Sequence, residues 1–174
     1  MPDDDLPPLE ACREKALKLL EGRPHSVAEL RRKLFSRRIF APELIETVIA
    51  DFLQVGLLDD ADFAHTACDA LKASSPIGRR RAQQKLIRHG LAPELVRQTL
   101  DDHWDTSDDP ETERALRAAH QKWRSLLRQT SRPLPLKRQS LARFLAARGF
   151  ASDTLAALLA KPDFKTDQAP DQRP

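Results

Sequence analysis

The side chains in this sequence whose types and spacing suggest chemistry are cations at helical intervals. Arg79, Arg80, Arg81, Lys85 and Arg88 fall in one stretch, and Lys137, Arg138, Arg143 and Arg148 in another. On a helix Arg81, Lys85 and Arg88 share a face, as does Arg31 with Arg38 and, roughly, Lys137 with Arg148. Each set is therefore expected on a side other than the apolar stripe of its helix. Guanidinium and ammonium groups so arranged neutralise phosphates or meet an acidic protein surface, and residue type alone does not separate these targets.

Other chemistries find little support. His65 and Cys68 stand three apart with Asp62 and Asp69 nearby, but no second ligand pair completes a metal site. The remaining histidines, at 25, 89, 103 and 120, are scattered. Asp59, Asp60 and Asp62 invite an acid–base reading, yet acids at a helix start more simply cap free amides and favour the positive end of the dipole. The sequence has no GxxxxGK[ST] phosphate loop, no strand leading into GxGxxG, no HExxH and no GxSxG. No cofactor or metal is expected, and nothing points to an enzyme. Trp104 and Trp123 are assigned to packing rather than to stacking on bases.

Charge sharpens the emphasis on basic surface. The net value over 174 residues is only +3, but Asp101 to Glu113 holds seven acids and no base, and Arg114 to Arg148 ten bases and no acid. Lys72 to Leu100 adds seven bases against one acid, while the chain before Lys72 is net acidic. Two basic zones around an acidic joint favour a polyanionic partner. Cys12 and Cys68 form no CxxC pair and are expected as buried, reduced side chains. No segment approaches the roughly 20 apolar residues of a membrane span, and the start is acidic, so a soluble cytoplasmic protein is expected.

The elements that must position these cations read as helices almost throughout. In Glu43 to Leu53 the apolar residues Leu44, Ile45, Val48, Ile49, Phe52 and Leu53 trace one helical stripe. Phe40-Ala-Pro-Glu-Leu-Ile45 recurs as Leu91-Ala-Pro-Glu-Leu-Val96, and Phe150-Ala-Ser-Asp-Thr-Leu155 is a weaker third copy. Pro42, Pro93 and Ser152 suit helix starts, and Gly90 and Gly149 suit the ends of the preceding helices. Ser26 and Glu29 form a capping-box pattern, and Asp59 or Asp60 is placed as an N-cap. The expected helices are 9–21, 27–37 and 42–54, then 60–72, 78–89 and 93–103, then 110–129, 136–148 and 152–160, with a turn at Pro133-Leu-Pro135. The fold class is therefore all-α, an elongated tandem array of three three-helix repeats. The boundaries are a flexible N-terminus over 1–8, repeats over 9–56, 57–105 and 106–162, and a disordered tail over 163–174.

Over Ala11 to Ala160 the chain resembles the RecX family of regulatory proteins. Pro24-His25-Ser26 followed by Glu29-Leu-Arg-Arg-Lys-Leu34 is similar to a first-repeat motif of that family. Leu57-Leu58-Asp59-Asp60-Ala61-Asp62-Phe63-Ala64 is similar to its most specific stretch. Gly78-Arg79-Arg80-Arg81 through Leu86, with Gly90-Leu91, and Arg143-Phe-Leu-Ala-Ala-Arg148-Gly-Phe150 resemble two further motifs. Asp62, Ile77 and Ala82-Gln83-Gln84-Lys85 depart from the usual family residues. The resemblance implies a negative regulator, acting in recombination, DNA repair and the SOS response. It would bind the RecA–DNA filament along its groove, as a monomer, and inhibit ATP hydrolysis, strand exchange and co-protease activity. Weak direct binding to single- or double-stranded DNA is compatible with this. The alternative from the residues alone is a stand-alone DNA-binding helical module.

Overall fold

A computed structural model describes residues 8–36, 38–104 and 109–166. Among these residues nine α-helices form, and no strand. They are α1 (Pro8–Gly22), α2 (Val27–Phe35), α3 (Pro42–Gln54), α4 (Asp60–Ser74), α5 (Arg79–Arg88), α6 (Pro93–His103), α7 (Glu111–Leu127), α8 (Leu134–Ala147) and α9 (Ser152–Ala160), and the short 3₁₀ turn Pro162–Phe164 follows. The all-α class read from the periodicity is what forms. No described helix is long and apolar enough to cross a membrane.

The boundaries of α3, α6 and α9 fall where the repeated motif places them, because proline opens the first two and a left-handed glycine precedes α6 and α9. Two details differ. Pro133-Leu-Pro135 is not a turn: Pro133 is the N-cap of α8 and Pro135 lies in its first turn, where a missing amide proton costs nothing. The stretch after Pro162 was expected to bury nothing, yet Phe164 is fully buried, edge-on to Trp123 at 5.7 Å between ring centroids. Of the expected flexible start over 1–8, positions 1–7 lie outside the described residues, as do Arg37, positions 105–108 and the last eight, while Pro8 opens α1.

Packing divides the chain into two compact units, and α4, α5 and α6 each give residues to both. The first takes the described residues of Met1–Ala67 with Leu86–Val96. In it α1, α2 and α3 pack pairwise around Cys12, Ala16, Leu30, Leu34, Ile45, Val48, Ile49, Phe52 and Leu58. Leu53, at the edge of the α3 stripe, remains exposed. The second unit takes the described residues of Cys68–Lys85 with Arg97–Pro174. There α7, α8 and α9 pack around Ala115, Ala118, Ala119, Trp123, Leu126, Leu141, Leu145, Phe150, Leu158 and Phe164. Each large side chain buried this way contributes about 1.5–3 kcal/mol, whereas an exposed ion pair contributes about 0–1 kcal/mol. These cores, and not the numerous surface ion pairs, hold the units together.

One joint occurs in each unit and is built alike. In the first unit Ser26 caps α2 by accepting from the Glu29 amide at 3.1 Å, and its hydroxyl donates to the His89 carbonyl. Gly90 sits there at φ 85°, where an added Cβ would come within 2.3 Å of the Ala28 Cβ. The amide of Val27, first residue of α2, donates to Asp60 Oδ1 at 2.8 Å. In the second unit Gly78 precedes α5 and its amide donates to the Arg148 carbonyl at 2.9 Å. Gly149, at φ 82°, lies against the Arg81 backbone, and a Cβ would meet that amide nitrogen at 2.3 Å. The amide of Arg79, first residue of α5, donates to Glu111 Oε2 at 3.1 Å. In both joints a carboxylate that opens a later helix caps the start of an earlier one, at 33 and 32 residues' separation.

Candidate partner-binding surface

The two joints determine which cations are available. In the second unit the α5 N-terminus lies against the turn between α8 and α9, the Arg80 amide donating to the Gly149 carbonyl at 3.3 Å. Arg79, Arg80 and Arg81 are thereby brought beside Arg148. Their side chains then take different roles. Arg79 donates to the Leu100 carbonyl at 2.9 Å and to Asp101. Arg148 donates to Ser75 Oγ at 2.7 Å and to the Pro76 carbonyl at 2.8 Å, with its guanidinium 4.6 Å over the Phe144 ring. Both therefore brace the chain around the start of α5. Arg138 donates to the Leu159 carbonyl at 3.0 Å, near the end of α9 where carbonyls lack helical partners.

Lys137 departs furthest from the sequence reading. It is only 2% exposed, so its ammonium group is not part of the surface. The signal was available, since Leu141 and Leu145 follow at i+4 and i+8 and place Lys137 on the apolar stripe. Arg80 and Arg143 are exposed, Arg81 and Lys85 are half-exposed, and none makes a side-chain hydrogen bond or ion pair among the described residues. These four are the uncompensated cations of the predicted set in the second unit.

Much of the acidic joint is taken up internally. Asp101 pairs with Arg79 and Arg97, and Asp109 with Arg114 at 3.0 Å and Arg117 at 2.7 Å. Burial by itself would raise the Asp109 carboxyl, but hydrogen bonds from Arg117 and Arg114 outweigh it and hold the group below the ordinary aspartate value. Arg114 is itself buried, 4.8 Å over the Trp104 ring. Trp104 and Trp123 are both fully buried, as packing required. Glu111 had no sequence signal beyond its place at a helix start. Its Oε1 accepts from the Ala151 amide at 2.8 Å while Oε2 holds that of Arg79, so one carboxylate fixes the starts of α5 and α9.

In the first unit Arg31 is engaged by Glu46 through two bonds of 2.6 and 2.9 Å. The face expected to join Arg31 with Arg38 does not form, because α2 ends at Phe35 and Arg38 has a left-handed φ of 50°. Arg88, near the end of α5, is exposed. Glu29 is buried and accepts from Arg23 at 3.0 and 3.4 Å and pairs with His89 Nδ1 at 2.8 Å. Burial would raise its carboxyl, but these partners hold it below the ordinary glutamate value. Glu29 thus completes only half of the capping box. The adjacent aspartates separate in role: Asp59 caps its own helix, accepting from Ala61 at 2.7 Å and Asp62 at 3.1 Å, and Asp60 caps α2. His65 and Cys68 belong to no metal-binding group of three among the described residues. The Cys68 thiol is buried and pushed up to about 11, which leaves it protonated and unreactive.

Comparison with known proteins matches 12–52 to the family model "RecX, first three-helix domain". A curated protein of Trichlorobacter lovleyi, "Regulatory protein RecX", is 33% identical over 150 residues, covering 86% of this chain and 94% of the relative. The chain belongs to the RecX family. A second member, from Pseudomonas fluorescens, is 31% identical over 163 residues and is covered to 94% of its length. The RecX crystal structure from Lactobacillus salivarius superposes with a TM-score of 0.72 at 18% identity, covering 87% of this chain and 94% of that one. A further RecX crystal structure gives 0.76, also at 18% identity, with 88% and 74% covered. At that identity the superpositions show the fold. The LDD stretch that marked the resemblance has a structural account here in the separate caps made by Asp59 and Asp60 and in the buried Leu58.

Proposed function

We propose that this chain is a cytoplasmic, monomeric negative regulator of RecA. It binds the RecA–DNA filament along its groove and lowers ATP hydrolysis, strand exchange and co-protease activity without chemistry of its own. The supporting observation is the set of uncompensated cations on the second unit, Arg80, Arg81, Lys85 and Arg143, the first two anchored beside the Gly149 turn. A modulator acts by differential affinity, so it prefers the assembled filament on single-stranded DNA to the free protomer. Arg79 and Arg148, two of the candidate contact residues, serve this surface by bracing it.

Steady-state ATP hydrolysis by the cognate RecA on single-stranded DNA tests the reading, with this protein titrated from far below equimolar and a naked-DNA binding control. Substoichiometric inhibition that is weakened by combined Arg80→Glu, Arg81→Glu and Lys85→Glu, with unchanged helicity, is the expected result. Inhibition seen only once the DNA itself is covered, with affinity falling steeply with salt, would instead favour the stand-alone DNA-binding module.

A further inference from the structure

The outer face of α7 carries cations that neither the fold nor the regulatory reading uses. Ten bases and no acid lie between Arg114 and Arg148, all within the second unit. Arg114 and Lys137 are buried, Arg138 and Arg148 hold backbone carbonyls, and Arg117 pairs with Asp109. Lys122 lies 5.5 Å over the Phe144 ring, and Arg132 is tied to Gln129 Oε1 at 3.3 Å and Ser140 Oγ at 2.6 Å. Arg124 and Arg128 are exposed and make no side-chain hydrogen bond or ion pair among the described residues.

These two belong to a row. Arg117, Gln121, Arg124 and Arg128 are all exposed, at intervals of four, three and four residues. At about 100° per residue they span a sector of about 60°, on the side opposite Ala115, Ala119 and Leu126, which pack into the core. Arg128 stays in register because, as the C-cap of α7, it keeps helical dihedrals of −64° and −17°. Cations near a helix C-terminus suit its dipole, but Arg124 and Arg128 stand one turn apart with like charge and no carboxylate to offset their repulsion. A surface kept only for solubility intersperses both signs.

The row is also without large apolar side chains, since none of those exposed lies between Glu111 and Arg132. The interior of a protein–protein contact is enriched in aromatic residues and Met, whereas phosphate oxygens are held by Arg, Lys, Ser, Thr and Gln. Gln121 within the row, and Gln129, Thr130 and Ser131 in the exposed turn after α7, are of the second kind. Arg124 and Arg128 are about 6 Å apart along the helix axis, so each can reach a different phosphate of one strand. We propose that this face of α7 is a sequence-independent contact for the sugar–phosphate backbone of a nucleic-acid strand, with Arg124 and Arg128 on its phosphates. It shares no side chain with the cations on which the regulatory reading rests, and its test contains no recombinase, so its failure leaves that reading standing.

The probe is a fluorescein-labelled oligothymidylate, titrated with the full chain in fluorescence anisotropy over a series of salt concentrations. Each arginine that neutralises a phosphate of a single strand adds about 0.7 to the steepness of log affinity against log salt. Arg124→Ala with Arg128→Ala should therefore reduce the steepness by about 1.4 and weaken binding about tenfold at low salt, and Lys at both positions should restore both. A charge-matched control, Lys161→Ala with Lys165→Ala, removes two exposed cations of the same unit from outside the row and should leave the steepness unchanged. All substitutions lie at exposed positions, and circular dichroism verifies that helicity is kept. Absence of salt-dependent binding overturns the proposal, as does a steepness unaltered by the Arg124 and Arg128 pair. An equal loss in the control pair overturns it too, since net charge alone would then suffice. Labelled polyglutamate is run alongside; if it binds as tightly as the oligonucleotide and is lost with the same two arginines, the row belongs to an acidic protein and the proposal fails.

Discussion

Replacing Glu111 by alanine is expected to destabilise the second unit by about 2–3 kcal/mol. The carboxylate accepts from two backbone amides, Ala151 at 2.8 Å and Arg79 at 3.1 Å. A hydrogen bond to a charged group contributes about 1.5–3 kcal/mol, but Ala151 is exposed, so water recovers part of the loss and about 1–1.5 kcal/mol per bond is the appropriate figure. Glu111→Gln keeps one acceptor oxygen and should lose about half as much. Trp104 and Trp123 both lie in this unit, so tryptophan fluorescence during urea unfolding follows it directly. A midpoint temperature lower by about 4–12 °C is expected from the same energy. Amide exchange at Arg79 and Ala151 should accelerate before exchange elsewhere in the unit. An alanine variant within about 0.5 kcal/mol of the parent, with both amides still protected, would refute the role given to this carboxylate.

Three further expectations draw on both units. Gly90→Ala sets a Cβ 2.3 Å from that of Ala28 at a φ of 85°, and should cost more than about 2 kcal/mol in urea unfolding; adding Ala28→Gly should recover only the steric part, and full recovery would discount the backbone term. Burial lowers the pKa of His25, so the unfolded chain takes up that proton first and stability should fall as pH drops below about 6.5. Glu29 and Asp109, held below their ordinary values, add a second loss as pH falls through and below about 4. Denaturation midpoints at pH 7.5, 5.5 and 3.5 check both steps, and a slope between 7.5 and 5.5 unaltered by His25→Gln would remove His25 from the account. Phe164→Ala should cost about 3–5 kcal/mol and increase solvent quenching of Trp123; a surface-like loss under about 0.5 kcal/mol would contradict its burial.

Helix identity and order were legible because each triplet carries local punctuation: Pro42 and Pro93 open their helices, and Gly90 and Gly149 precede α6 and α9. Local rules also supplied what was needed to place Lys137 correctly, through Leu141 and Leu145. The pair Pro133 and Pro135 misled because proline signals both a turn and a first helical turn, and only packing decides between them. Phe164 was hidden by its polar neighbours, since one aromatic ring in a charged stretch has no periodicity to read. The division of the cations into braces and open groups had no local signal at all. It depends on Asp101, Ser75 and Glu46 lying within reach across the fold, at separations of 22, 73 and 15 residues.

The capping carboxylates also impose a direction in time. A chain made from its N-terminus completes α2 well before it reaches Asp60, and α5 well before Glu111. During synthesis the leading amide of each middle helix therefore waits for a side chain that the ribosome has yet to add. The amphipathic stripes can collapse as they emerge, but the start of each middle helix is finished only by the triplet that follows it. Assembly of this chain is in that sense sequential, with each newly made segment locking the one before.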